Sequence, residues 1–211
     1  MSEKGATRFR LLRPEEIEVR VSTINGKGAT LLLYKDARVD MNILDESGLK
    51  WKREHTVVNN NLFCTVSIWD DEIKEWVSRQ DVGTESFTEK EKGQASDSFK
   101  RACFNWGIGR ELYSAPFIWI GSDKYNGFIS GKTPQGKDKY ATYDRFSVEK
   151  IQYDDKTHEI TGVSIRNDKR DERVFAFVKG TSAKSPAPSK TPAPAPKPES
   201  TDELPGRGVS E

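Results

Sequence analysis

Lys100, Arg101 and Phe104 follow one another at helical spacing in the segment between residues 92 and 113. Cations can contact phosphates, and a flat ring can stack on a base, so this combination on one face points to nucleic-acid binding. Arg110 lies just beyond the end of that helix, and Lys50, Lys52 and Arg53 lie on a strand earlier in the chain. A phenylalanine exposed between cations is unfavourable without a partner, so Phe104 could equally mark a subunit interface. For catalysis the best set is Asp70, Glu72 and Lys74, because an acidic pair followed by a lysine can hold a divalent metal in nucleases. The same residues also read as a charged turn ahead of a strand, and no further acid completes a site. His55 and His158 are the only histidines, and no Ser/His/Asp or Cys/His arrangement can be assembled from them with any specificity. Gly107-Ile-Gly109 ends a helix instead of opening one after a strand, which removes the dinucleotide and phosphate-loop readings. The chain carries no argument for an enzyme, and neither a cofactor nor a metal is expected.

The elements that must position these residues come from periodicity and turn chemistry. Pro14-Glu15-Glu16 resembles a first helical turn, predicting a short helix to about Val21. Asn25-Gly26-Lys27-Gly28 is a turn, and Ala29 to Leu33 a short strand. Tyr34, Ala37, Met41 and Leu44 recur at helical spacing, with Gly48 at the C-terminal cap position. From Leu49 to Gln80 the period changes to two, and turns at Asn59-Asn60-Asn61 and Asp70-Asp71 divide the stretch into a three-stranded antiparallel meander. Thr88-Glu-Lys-Glu91 is a capping box for the longest helix, which runs to Trp106 with Ala95, Phe99, Ala102, Cys103 and Trp106 as its apolar stripe. Phe117 to Ile120 reads as a strand, and Gly121 to Lys139 as a mobile loop. Phe146 to Tyr153, Ile160 to Arg166 and Arg173 to Lys179 read as a second antiparallel set. The expected fold is α+β: an antiparallel three-stranded meander packed on a long helix, a β-β-β-α core, with additional C-terminal strands and a disordered tail.

Composition bounds the rest. The 211 residues suffice for one domain, 1–180, and a tail, 181–211. Lysine and arginine number 34 against 33 acids, giving a net charge of only +1, so any nucleic-acid surface must come from sorted charge. Seven of the ten prolines fall in the tail, which has no aromatic residue and reads as an extended spacer with an acidic end from Glu199 to Glu211. Such an end suits a tether to a single-strand binding protein or an exonuclease, or simply a solvating role. Two cysteines, Cys64 and Cys103, form no disulfide framework or metal spacing, which fits a reducing compartment. No apolar run approaches a membrane span, so the expected location is the cytoplasm, that of a bacterial host if the chain is phage-encoded.

The run from Lys92 to Tyr113, KGQASDSFKRACFNWGIGRELY, resembles the signature of the Rad-fifty-two family of single-strand annealing proteins, in its phage and bacterial Sak-like branch, related to Erf recombinases. Leu12-Arg-Pro-Glu-Glu-Ile, Tyr34-Lys-Asp-Ala-Arg-Val and Gln80-Asp-Val-Gly83 resemble further elements of that family in the same order, so the similarity covers about Leu11 to Tyr113. The resemblance implies a non-enzymatic protein that assembles into a homo-oligomeric ring, holds single-stranded DNA and anneals it to a complementary strand in recombination and repair. Lys100 and Arg101 match basic groove positions of the family, and so does Arg38. Where eukaryotic members carry a third arginine one turn later, this chain has Phe104. The alternatives are a passive single-strand binding module and a metal-dependent nuclease at Asp70, Glu72 and Lys74.

Overall fold

The computed structural model describes residues 9–84, 90–123 and 125–180. The capping box expected at Thr88 and the tail at 181–211 therefore lie outside the described residues. The first departure from expectation is at Pro14: Pro14–Glu16 forms only a 3₁₀ turn, and the chain then enters strand β1 (Glu18–Asn25). Val19, Val21, Thr23 and Ile24 are β-branched, and their preference for a pleated surface prevails over the helix-like Pro-Glu-Glu start. A hairpin in which the Asn25 side chain accepts from the Lys27 N–H at 2.8 Å leads to β2 (Gly28–Tyr34). Asp36 caps α1 (Ala37–Glu46) by accepting from the Arg38 N–H at 2.8 Å, and Val39, Ile43 and Leu44 bury its apolar face.

Strands β3 (Trp51–Val58), β4 (Asn61–Asp70) and β5 (Glu75–Val82) pair in order as a three-stranded antiparallel sheet. Helix α2 (Lys90–Asn105) packs against β4 and β5. After a 3₁₀ helix at Arg110–Ser114 come β6 (Ile118–Gly121), β7 (Ile129–Lys132), β8 (Asp138–Ala141), β9 (Phe146–Tyr153), β10 (Ile160–Asn167) and β11 (Glu172–Val178). The stretch expected to be a mobile loop contains the two-stranded hairpin of β7 and β8. Tyr125 ties that region down by donating to Asp144, which also accepts from Asn167 at 2.9 Å and Arg170 at 2.9 Å.

The largest sheet has six strands in the order β11-β10-β9-β1-β2-β6, all antiparallel, and its two edge strands approach each other so that it is nearly closed. Strand makes up 47% of the structure and helix 19%. The molecule is thus mostly β, and the expected α+β core of a three-stranded meander on a long helix is incorrect. The reason lies in long-range pairing: β1 joins β9 through Glu18↔Ser147 and Val19↔Phe146, and β2 joins β6, so N- and C-terminal strands build one sheet. Neither pairing leaves a local trace in the sequence. One hydrophobic core connects both sheets, with Leu31, Ile118 and Ile165 from the large sheet, Val66 and Ile68 from the small one, and Phe99, Ala102 and Cys103 from α2.

Candidate nucleic-acid groove

Helix α2 is two-sided. Ser98, Phe99, Ala102 and Cys103 face the core, with relative exposures of 1% or less. One turn around, Asp97, Lys100, Arg101, Phe104 and Asn105 form a continuous stripe at intervals of three and four residues. Opposite that stripe stand Leu32 to Lys35 at the end of β2, and Leu112 and Tyr113 on the 3₁₀ helix. Between the walls lies a groove of about 450 Å³. Gly107 and Gly109, at φ 101° and 76°, turn the chain sharply enough after α2 to place the second wall there.

Lys35 reaches along the groove floor. Its side chain is 9% exposed, its stem passes Gly109, and its ammonium donates to the fully buried Asp40. Burial pushes the Asp40 carboxyl up to about 6 against the opposing pull of Lys35, and its Oδ2 has no hydrogen-bond partner. Lys100 is half-buried, and its charge acts on both Asp36 and Asp40. Arg101 is 48% exposed and donates from Nε to Asp81 Oδ1 at 3.2 Å. Arg38 is 80% exposed, and its Nε lies 3.1 Å from Oδ1 of Asp36, the residue next to Lys35. Hydrogen bonds from Arg38 hold the Asp36 carboxyl below its usual range.

Three rings open onto the groove. Tyr34 is half-exposed under the Arg20 guanidinium, 5.0 Å from the ring centre. Tyr113 is 81% exposed, and its ring lies 4.7 Å from that of Phe104. Phe104 itself is half-buried, not exposed as expected, because the chain reversal brings Tyr113 against its ring and Arg110 over it at 5.3 Å.

Of the eight residues singled out in the sequence for DNA binding, Lys100, Arg101 and Phe104 line the groove; Arg38 is bonded to Asp36, whose carboxyl feels the Lys100 charge, and Lys50 precedes β3 instead of lying on it. Three others do not join them. Arg110 donates to the carbonyls of Phe104 at 2.8 Å and Asn105 at 2.9 Å, completing the C-terminus of α2. Lys52 points to the outer face of the small sheet, where its ammonium lies 4.6 Å from the Trp76 ring. Arg53 points to the inner face, over Phe99 at 4.8 Å and 3.7 Å from the Met41 sulfur. Adjacent residues on a strand face opposite ways, so those two cations could not act together. Lys35, Tyr34 and Tyr113 were missed as site residues; the signal available for Tyr113 was its place in the same signature segment.

The acidic set at the β4–β5 turn is local. Asp70 Oδ1 accepts from the N–H groups of Glu72 at 2.9 Å and Ile73 at 3.4 Å, and Lys74 lies 3.8 Å from Asp71. Among the described residues no group of three or more histidines, cysteines or acids is arranged to hold a metal ion. Nor is any described helix long and apolar enough to cross a membrane. Cys64 and Cys103 are buried free thiols, both pushed upward by burial, Cys64 to about 11. In comparisons with known proteins no family model matches the chain, and neither a curated protein nor a solved structure does.

Proposed function

We propose that the groove holds single-stranded DNA and that the protein anneals complementary strands without ATP, as a homo-oligomeric ring acting in recombination or repair. The observation that carries this reading is the α2 stripe: Lys100, Arg101 and Phe104 share an opening with Lys35 and with Tyr34 and Tyr113 across it. Cations that grip phosphates beside rings that accept bases are the two ingredients of sequence-independent single-strand binding. The resemblance of the Lys92 to Tyr113 segment to annealing proteins supports the same reading from the sequence side. Holding the strand by its backbone leaves base edges open to a second strand. Duplex stacking, at about 1.4 kcal/mol per step, then drives pairing without a nucleotide cofactor.

The test is annealing of two complementary labelled oligonucleotides in the absence of ATP. The wild-type chain should accelerate it, with affinity for single strands falling steeply as salt rises. A Lys100→Ala/Arg101→Ala variant should bind on the order of tenfold more weakly or worse. Unchanged affinity and annealing rate in that variant would refute the groove. Binding without any acceleration of annealing would instead make this a passive single-strand module.

A further inference from the structure

Three cations in and near the groove are paired with carboxylates. Arg101 faces Asp81 at 3.2 Å, Arg38 faces Asp36 at 3.1 Å, and Lys35 is bound to Asp40. The first two carboxylates sit in ready-made anion sites. Asp81 collects the Arg101 guanidinium, the Asn105 side-chain amide at 3.2 Å and the Val82 backbone N–H at 2.8 Å. Asp36 collects the Arg38 backbone N–H at 2.8 Å and the Arg38 guanidinium on both of its oxygens, at 3.1 and 3.3 Å. Guanidinium, amide and backbone N–H are the donors that an incoming phosphate would use. Each site is filled by an anion of the protein's own. Both pairs are solvent-accessible, unlike the buried Lys35–Asp40 pair, so a ligand can compete with them.

We infer that Asp36 and Asp81 are internal competitors of the DNA phosphates: they hold Arg38 and Arg101 in position when the groove is empty and limit the grip when it is filled. The inference rests on the single-strand reading of the groove. It gives the near-neutral charge of this surface a role, because a protein that must hand its strand over to a duplex needs donors aligned in advance but weak net retention. The two acids are positioning residues that act through their arginines.

The experiment measures binding of the full-length chain to a fluorescent oligo(dT). Asp81→Asn keeps the side-chain size and the acceptor for Val82 while removing the competing charge. Asp36→Asn likewise preserves the helix cap, since asparagine caps as well as aspartate. Releasing an exposed ion pair of this kind should tighten binding by about two- to fivefold per site and slow dissociation accordingly. Asp138→Asn supplies the same charge change on the β8 hairpin, where the partner is Lys132, and should leave affinity near the wild-type value. The tightening by Asp81→Asn should vanish in an Arg101→Ala background, which a merely structural effect would not do. If Asp81→Asn does not fold, Asp36→Asn with and without Arg38→Ala decides the same question. Binding that is unchanged or weaker in the folded carboxylate variants, or equal tightening by Asp138→Asn, overturns the inference while leaving the groove intact. A wild-type chain that binds no oligonucleotide overturns the single-strand reading, and the inference with it.

Discussion

Asp40 shows how a single buried charge shapes this groove. It lies with no exposure beneath α2, and Lys35 neutralises only one of its oxygens. Its folded carboxyl titrates near 6, above the unfolded value of about 4, so the folded state binds the proton more tightly across that interval. The favourable contribution of that proton is complete below the unfolded value and is lost as pH rises through about 6. The stability of the wild type relative to an Asp40→Asn variant should therefore fall by roughly 1–3 kcal/mol between pH 4 and pH 7. Urea unfolding of both proteins at the two pH values measures this difference. A constant difference would mean that Lys35 compensates the carboxylate fully. The cation stripe on α2 was legible because residues three and four apart on a helix must share a face. Asp81 was not legible as the partner of Arg101, because an ion pair between different elements depends on which side chains the fold brings within reach, whereas the contact of Arg38 with Asp36 is local, two residues apart at the start of α1.

At the scale of elements, the turn after α2 is the piece on which the groove depends. Gly109 adopts φ 76°, and a Cβ there would lie 2.2 Å from Cε of Lys35. Gly109→Ala should thus cost stability twice, through backbone strain and through displacement of Lys35 from Asp40. A loss of about 1–3 kcal/mol in urea unfolding is expected, together with weaker oligo(dT) binding. Retention of both properties would show that the turn tolerates another geometry. Arg110 belongs to the same device, since its guanidinium caps α2 and covers Phe104. Local signals located several elements well: the helical spacing of Ala37, Met41 and Leu44, period-two runs between the Asn59-Asn60 and Asp70-Asp71 turns, and the alternation over 146–179. They failed at β1, where three residues of helix-like start precede a β-branched run, and at β7 and β8, whose short strands carry turn-rich sequence.

At the scale of the whole molecule, a net charge of +1 and the pairing of Arg38 and Arg101 with carboxylates leave a single chain with little long-range attraction for DNA. In the proposed ring, avidity from repeated grooves would supply the affinity. Oligo(dT) binding should weaken sharply when the protein is diluted below the concentration at which light scattering detects assembly. A monomer that binds as tightly as the assembled form would remove the ring from the mechanism. What the chain determines by itself is local: the amphipathic order of α2, the hairpin turns and the stripe of Lys100, Arg101 and Phe104. What only the tertiary structure decided is the company those residues keep. The nearly closed six-stranded sheet, the β2 wall of the groove and the carboxylate opposite Arg101 all join segments far apart in sequence, such as Glu18 with Ser147 and Arg101 with Asp81. Such pairings are selected by burial of a common core and carry no periodic or turn signature of their own, so they become visible only when the chain is folded.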